Sequence, residues 1–169
     1  MPVSVLVAYA SKYGATQEIA EKIGQTLRTT GLEVAITAAD QANDPEGYDA
    51  VILGSAVYAG MWRKEAIQFL ERNETSLSAK PTWIFSSGPT DEGNPVELLE
   101  GWRFPEAQQP IADRIQPRDI AVFHGSLEPS KLNFAERMII KGIKAPIGDF
   151  RDWESIRSWA EGIAGELQS

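Results

Sequence analysis

The sequence predicts a doubly wound α/β protein with a mostly parallel, five-stranded sheet and helices on both of its faces. Three observations predict this fold class. Short apolar runs rich in β-branched residues recur along the chain, stretches with helical apolar spacing alternate with them, and no internal repeat or low-complexity linker interrupts the 169 residues. Alternation of this kind implies right-handed crossovers and helices on both faces of a parallel sheet. The length suits one domain, which we expect to span residues 1–169.

The first third of the chain contains a strand–helix–strand unit and a third strand. Residues 3–9 are apolar at nearly every position, as expected for a strand that is covered on both faces. The helix that follows is indicated by apolar residues at helical spacing, namely Ile19, Ala20, Ile23 and Leu27. Gly31 offers a left-handed stop for this helix. Two further strands are predicted at 33–38 and 50–55, separated by a polar turn at 43–47.

The rest of the chain continues the alternation. Helices are predicted at 64–73, near 96–99 and at 107–115, and strands at 82–86 and 120–124. The helix at 107–115 is predicted despite Pro110, and residues 89–105 are otherwise rich in turn formers. A last helix presents one apolar face, made by Ile156, Trp159, Ala160, Ile163 and Leu167. Ligands of such sheets bind beyond the carboxyl ends of the strands, so function is expected in the loops 10–16, 55–62 and 86–94.

The amino-acid composition limits the kinds of chemistry and ligand that this chain can support. The absence of cysteine excludes disulfides, thiolate nucleophiles, iron–sulfur ligation and cysteine-based zinc sites, so redox chemistry requires a bound cofactor. A formal charge of -8 disfavours nucleic-acid binding and suits solubility or docking onto basic partners. No metal site is predicted, because one histidine and scattered carboxylates do not make a ligand set. A cytoplasmic location is expected, since the start lacks the pattern of a secretory signal and no apolar stretch approaches the ~20 residues of a membrane span.

The segment between the first strand and the first helix is a predicted phosphate-binding loop. Backbone N–H groups at the start of a helix, its dipole and the hydroxyls of Ser11 and Thr16 can together bind a phosphate dianion. Gly14 allows a tight turn around the anion. The alternative is an ordinary turn with a Ser or Thr cap. Neither G-x-G-x-x-G nor G-x-x-x-x-G-K-[ST] is present, and Ser55 stands where a phosphorylation-relay receiver would need aspartate.

At these residues the sequence resembles the flavodoxins, whose phosphate loop reads [ST]-x-[ST]-G-x-[ST]. Ser11, Gly14 and Thr16 match that pattern, whereas Tyr13 stands where the pattern has Ser or Thr. The resemblance implies a three-layer sandwich with strand order 2-1-3-4-5 and noncovalently bound FMN. Residues 54–62 are similar to the flavodoxin segment that covers one flavin face, and residues 86–94 to the loop at the isoalloxazine edge, although the aromatic common there is absent.

The resemblance implies cofactor contacts from all three loops. The implied FMN-binding residues are Ser11, Lys12, Tyr13, Gly14, Ala15, Thr16, Ala56, Val57, Tyr58, Ala59, Gly60, Trp62, Ser87, Gly88, Pro89, Thr90, Asp91 and Gly93. Tyr58 and Trp62 are the candidates for stacking on the flavin, and burial in the core is the alternative for both. Asp91 and Glu92 can influence the flavin potential through charge, or lie solvated in the loop. No catalytic residue is assigned.

A more specific resemblance is to the bacterial menaquinone-dependent protoporphyrinogen dehydrogenases. It consists of the phosphate loop, a glycine- and tyrosine-containing segment at 54–60, an aromatic and basic helix at 134–144, and Asp-Trp-Glu at 152–154 before the last helix. This resemblance implies an FMN enzyme that passes electrons from a reduced substrate to a quinone. A flavodoxin-type carrier between protein redox partners is the main alternative, and a flavin-free interaction module is the third.

Residues 126–150 form an inserted segment, because loops of this kind usually have only ~2–6 residues. Within 131–144, apolar and basic residues fall on different sides of a predicted helix: Leu132, Ala135, Met138, Ile139 and Ile143 on one, Arg137, Lys141 and Lys144 on another. Such a helix can rest on an anionic membrane near a lipid-soluble quinone, flank a tetrapyrrole with carboxylates, or pack on its own domain.

His124, the only histidine, is predicted to end the fifth strand; it can relay a proton or have a structural role, and no catalytic role is assigned to it.

Overall fold

The computed structural model describes residues 2–12, 14–42, 44–58, 61–88, 103–127 and 148–169, together with positions 134, 135 and 138. The strands are β1 (Ser4–Ala10), β2 (Glu33–Ala38), β3 (Ala50–Tyr58), β4 (Met61–Trp62), β5 (Thr82–Ser87), β6 (Asp119–Phe123), β7 (Ser126–Leu127) and β8 (Gly148–Asp149). The helices are α1 (Ala15–Thr29), α2 (Lys64–Arg72), α3 (Glu74–Ser78), α4 (Gln109–Ile115) and α5 (Trp153–Gln168), with 3-10 turns at Pro45–Gly47 and Glu106–Gln108.

The main sheet has the predicted strand order. Five parallel strands follow one another as β2-β1-β3-β5-β6, which is the order 2-1-3-4-5 of the five predicted strands. The order reverses at β1, from which the chain goes first to β2 on one side and then to β3 on the other. The predicted fold class is therefore confirmed, and the reversal creates the crevice in which such sheets bind ligands.

The alternation of side chains along β1 divides the interior into two layers. Val5 and Val7 pack with the apolar faces of α1 and α5, whereas Leu6 and Ala8 pack with α2, α3 and α4 on the opposite face. All four side chains are fully buried. Because both faces of the strand are covered, the strand is apolar at successive positions instead of alternating with polar residues. The same arrangement explains why the central strands were recognisable as uninterrupted apolar runs.

Gly54 creates space for a fully buried phenylalanine in the core beneath α1 and α5. A Cβ atom at this position would lie 2.0 Å from Cζ of Phe85, far inside any tolerated contact. The Phe85 ring is fully buried and has Phe123 and Trp159 as aromatic neighbours at 5.9 and 6.1 Å between ring centroids. The phenyl group thus lies directly against the backbone of β3, one residue before the strand reaches the functional edge.

Several element boundaries differ from prediction. The β3 strand extends to Tyr58, beyond the predicted end at 55, because β5 pairs with it up to Ser87 and β4 pairs back on it in antiparallel direction. The short strands β4, β7 and β8 were not predicted, since two-residue strands carry no periodic signal. The fifth predicted strand ends at Phe123, so His124 lies just beyond the strand and not in it.

The helices between β4 and β6 also differ in detail. The predicted helix at 64–73 ends at Arg72, and Asn73 turns the chain into a second helix, α3, which the sequence did not predict. The predicted helix at 107–115 begins as a 3-10 turn and continues as α4. Pro110 is tolerated because it lies in the first turn of α4, where its missing N–H has no intrahelical acceptor to lose. The helix predicted near 96–99 lies outside the described residues.

Candidate functional site

The carboxyl ends of the central strands lie at one level. Ala10 of β1 pairs with Ser55 of β3, Ser55 pairs with Ser86 of β5, and Ser87 pairs with Phe123 of β6. The chain segments that follow β1, β3 and β5 therefore leave the sheet at the same edge. These are the three segments in which the sequence predicts function, and the sheet register brings their first residues together.

The first loop has the geometry of an anion-binding turn. Gly14 takes a left-handed conformation, with φ at 92°, and its N–H donates to the Ser11 hydroxyl at 3.0 Å. The first helical hydrogen bond runs from the Glu18 N–H to the Gly14 carbonyl at 3.1 Å, so the N–H groups of residues 15–17 have no intrahelical acceptor. Because the Ser11 oxygen accepts from Gly14, its hydroxyl hydrogen remains available to an anion.

The space around this turn is open. A Cβ atom added to Gly14 would meet no atom within 4 Å. Lys12 is exposed and Ala15 is half-buried, whereas Thr16 is only 1% exposed and lies beneath the loop. Tyr13 is outside the described residues. The positive end of the α1 dipole thus adjoins open space at Gly14, where a phosphate can bind.

The second segment forms a hairpin whose tryptophan is internal. Val57 pairs with Trp62 and Tyr58 with Met61. The Trp62 side chain is 4% exposed, its Nε1–H donates to the Ser86 hydroxyl at 2.8 Å, and it meets Phe104 edge to face at 5.1 Å. This packing matches the core role that the sequence left open as the alternative to flavin stacking. The Tyr58 side chain and residues 59–60, which include Ala59 and Gly60, are outside the described part.

Ser55 connects the hairpin to the sheet. The side chain is fully buried, its hydroxyl accepts from the Arg63 N–H at 3.0 Å, and it donates to the Ala56 carbonyl at 2.9 Å. The chain beyond β4 is thereby fixed to β3 just before α2 begins. The aspartate of a phosphorylation-relay receiver would stand at this position, and here a satisfied serine has a structural role.

The third segment begins between the ends of β3 and β6. Ser87 is buried, and the Gly88 N–H donates to the Phe123 carbonyl at 3.1 Å. A Cβ atom on Gly88 would lie 3.2 Å from Cβ of Val57, and one on Gly125 would lie 3.1 Å from the Gly88 oxygen. Gly88 and Gly125 therefore allow the third segment to lie close to the second segment and to the chain that follows β6. Four predicted contact residues of this segment, Pro89, Thr90, Asp91 and Gly93, are outside the described part.

A groove of about 600 Å³ adjoins the hairpin on the α2 side. Its walls are β4, the start of α2 and the turn before α4, and it is lined by Met61, Trp62, Lys64, Ile67, Pro105, Glu106, Ala107 and Gln108. The lining is mostly apolar, with one lysine and one glutamate among these residues. Its volume falls within the range of small-molecule sites.

An arginine that the sequence did not single out lies beside the phosphate loop. Arg151 is 6% exposed, and its Nη1 lies 3.3 Å from the Ala15 carbonyl oxygen and 3.2 Å from Glu18. It also forms a two-pronged ion pair with Asp149. The sequence carried no signal for this contact, because Ala15 and Arg151 are separated by 136 positions and meet only in the folded chain.

His124 lies at the same edge, partly buried, and its Nε2 has no hydrogen-bond partner within the described part of the chain. The neighbouring Asp152 caps α5, which begins at Trp153 as the Asp-Trp-Glu motif implied. Hydrogen bonds from the Ser155 hydroxyl and N–H hold the pKa of Asp152 below its usual value. The Asp152 carboxylate thus has Ser155 as its structural partner at the start of α5.

The comparison with protein families identifies the architecture. A protein-family model described as "Flavodoxin domain" matches residues 6–153 of this chain. This range includes the three segments of the site. The chain belongs to this flavodoxin-domain family. The resemblance that the phosphate loop indicated is therefore confirmed.

Relatives and solved structures agree with this assignment. The protoporphyrinogen IX dehydrogenase [quinone] of Escherichia coli K12 is 23% identical over 180 residues, covering 94% of this chain and 93% of that protein. A flavodoxin from the domain Archaea superposes with a TM-score of 0.65 at 12% identity, over 99% of this chain and 100% of the other. Oxidised flavodoxin 2 from Bacillus cereus superposes with a TM-score of 0.60 at 20% identity, over 99% and 100% of the two chains.

FMN is the cofactor of the flavodoxin domain, so the predicted cofactor is confirmed at the level of the family. The site of this flavodoxin-domain protein fits the phosphate of FMN, because the Gly14 turn is open and the N–H groups of residues 15–17 lack intrahelical acceptors. Within the described ranges, no group of three metal-ligating side chains comes together. None of the described helices is long and apolar enough to cross a bilayer.

Proposed function

We propose that this flavodoxin-domain protein is an FMN-dependent oxidoreductase of the protoporphyrinogen dehydrogenase type, which passes electrons from a reduced substrate through FMN to a quinone. The main support is the attachment of the inserted segment beside the cofactor loops. Strands β7 and β8 pair in antiparallel direction and bracket residues 128–147. Gly125, just before β7, contacts Gly88, and Arg151, just after β8, contacts Ala15. The insertion thus leaves and rejoins the domain at the proposed reaction edge.

The proposal gives the individual residues the following roles. The Ser11 hydroxyl and the N–H groups of residues 15–17 would hold the FMN phosphate, with Gly14 shaping the turn. The flavin ring would be held by the two segments that follow the ends of β3 and β5, whose predicted contact residues are Ala56, Val57, Tyr58, Ala59, Gly60, Ser87, Gly88, Pro89, Thr90, Asp91 and Gly93. FMN, when bound, supplies the two-electron chemistry that links substrate to quinone. The protein positions the ring and excludes water from it, and no catalytic side chain is assigned.

Two surface features support a bulky apolar substrate or a lipid-soluble acceptor. The groove beside β4 has a suitable volume and a largely apolar lining. In the insertion, Phe134 and Met138 are 79% and 55% exposed and are separated by one helical turn. Exposed apolar residues at this spacing suit insertion into a membrane surface. We therefore propose a cytoplasmic protein that contacts the inner membrane face through residues 131–144.

The second candidate is an electron carrier between protein partners. The observation that favours it is the formal charge of -8, which can steer the protein onto basic redox partners. In this case the flavin would exchange electrons directly with another protein, and neither the groove nor the insertion would contact a substrate.

Anaerobic turnover separates the two candidates. The FMN-loaded protein is incubated either with protoporphyrinogen IX and menadione or with a flavodoxin reductase and its electron donor, and flavin absorbance and porphyrin fluorescence are followed. The enzyme proposal expects porphyrin formation that depends on menadione and is absent with FMN-free protein. Reduction by the reductase together with no porphyrin formation would overturn it in favour of the carrier.

Vesicle co-sedimentation tests the membrane contact. The protein is expected to sediment with vesicles that contain anionic lipid and to remain in solution with neutral vesicles at the same salt concentration. The double variant Phe134→Ser and Met138→Ser should lose this binding while its fold is preserved, because both side chains are exposed. Equal sedimentation of variant and wild type would exclude the proposed contact.

A further inference from the structure

Arg151 lies beside the phosphate loop, and all three nitrogens of its guanidinium group have partners. Its Nε and Nη2 contact Oδ1 and Oδ2 of Asp149 at 2.9 and 2.6 Å. Its Nη1 contacts Oε1 of Glu18 at 3.2 Å and the Ala15 carbonyl at 3.3 Å. The guanidinium carbon also lies 4.7 Å from the ring centroid of Trp153. Fork-shaped ion pairs of this kind fix the orientation of both partners.

These contacts join two parts of the chain that are far apart in sequence. Ala15 is the first residue of α1 and follows Gly14 directly, whereas Asp149 ends β8. The segment after β8 is itself held to the turn between β6 and β7, because the Phe150 N–H donates to the Gly125 carbonyl at 3.1 Å. Arg151 therefore connects the first turn of α1, through the base of the insertion, to the sheet.

The charges of Arg151, Asp149 and Glu18 affect how well an anionic ligand can bind nearby. Asp149 and Glu18 each contribute one negative charge, and Arg151 contributes the positive charge between them. Glu18 belongs to the first turn of α1, close to the proposed phosphate position. Without the guanidinium, the negative charges of Asp149 and Glu18 would be uncompensated on the side of α1 where the phosphate dianion is proposed to bind, and like charges repel each other.

We propose that Arg151 is a positioning residue for FMN binding: it restrains the first turn of α1 and neutralises the carboxylates beside the FMN phosphate. This inference rests on the proposed placement of that phosphate at residues 11–16. It predicts that Arg151 influences the affinity for the phosphorylated flavin and not the affinity for the isoalloxazine ring. Riboflavin, which lacks the phosphate, is therefore the discriminating ligand.

The test compares Arg151→Gln with Arg157→Gln. Arg157 is a suitable control because it forms ion pairs on the exposed surface of α5, with Glu154 and Glu161. FMN and riboflavin affinities are measured by fluorescence quenching with the full-length protein. Arg151→Gln should weaken FMN binding by roughly 3- to 30-fold, the range of mutations that act through an intermediate contact. Its riboflavin affinity and both affinities of Arg157→Gln should match those of the wild type.

Two outcomes would overturn the proposal. One is an FMN affinity of Arg151→Gln equal to that of Arg157→Gln, and the other is an equal loss for FMN and riboflavin, which would indicate a general loss of structure. Failure of the wild type to bind FMN would refute the phosphate placement itself. Normal FMN binding by the wild type with unaffected Arg151→Gln would refute only the role of Arg151.

Glu18→Gln tests the charge argument, because the Glu18 side chain is half exposed and a glutamine oxygen at this position can still accept from Arg151. Removal of this carboxylate should strengthen FMN binding by about 2- to 5-fold at low salt, the scale of a charge effect at a helix N-terminus. The gain should disappear at about 1 M salt, where the Debye length is about 3 Å. An unchanged or weaker FMN affinity of this variant at low salt would overturn the proposal even if Arg151→Gln did not fold.

Discussion

Gly14 and Gly31 provide a matched pair of substitutions at the two ends of α1. Gly14 has φ at 92° and Gly31 has φ at 95°, and a Cβ atom at either position would meet nothing within 4 Å. Substitution by alanine therefore introduces no steric overlap, and its cost is the left-handed backbone conformation alone. That cost is roughly 1–2 kcal/mol for a residue with a side chain. Gly14→Ala and Gly31→Ala should thus destabilise the FMN-free protein by similar amounts.

The two substitutions should differ in their effect on FMN. In Gly14→Ala the turn can relax by rotating the two peptides on either side of residue 14, which carry the N–H that donates to Ser11 and the N–H of Ala15. Loss of a single hydrogen bond to a charged group is worth about 1.5–3 kcal/mol, which corresponds to a roughly 10- to 150-fold weaker FMN affinity. Gly31 lies at the far end of the helix, so Gly31→Ala should bind FMN like the wild type.

Urea unfolding of the FMN-free proteins measures their stability, and fluorescence titration with FMN measures their FMN affinity separately. Equal FMN affinities of the two variants, after equal losses of stability, would show that this turn does not hold the phosphate. A Gly14→Ala variant as stable as the wild type would refute the estimate of backbone strain. The comparison is informative in either case because both proteins carry the same chemical change.

Three further predictions concern stability. Gly54→Ala should destabilise the protein by at least about 1–3 kcal/mol through overlap with Phe85, and Phe85→Leu in the same chain should recover part of the loss, as urea unfolding of the double variant would reveal. Trp62→Phe should cost about 1–3 kcal/mol, because it leaves a buried serine hydroxyl without its partner; a change within error would contradict the structural role of the indole. The hydrogen bonds from Arg151 hold the pKa of Asp149 below its usual value, so the stability that this pair contributes is complete above about pH 4 and is lost as the pH falls through the lower folded pKa. Asp149→Asn should therefore show a smaller loss of stability on acidification, measured as the urea midpoint against pH.

The sequence alone determined the sheet and the first loop. The central strands were predictable because burial on both faces requires apolar residues at successive positions, as in β1 and β5. The first and last helices were predictable because one apolar stripe packs on the sheet. Gly14 was predictable as a turn because few residues other than glycine adopt its conformation. These features are local, and each follows from what a few neighbouring residues permit.

Only the tertiary structure decided which side chains meet. It buries Trp62 against Phe104 and Ser86, whereas the sequence allowed either burial or an exposed stacking position. It also brings Arg151 to the first turn of α1 across more than a hundred residues. The physical reason is that burial and ion pairing depend on strand register and helix packing. These are fixed by the whole sheet, so the local sequence around an individual residue contains no periodic pattern that indicates them.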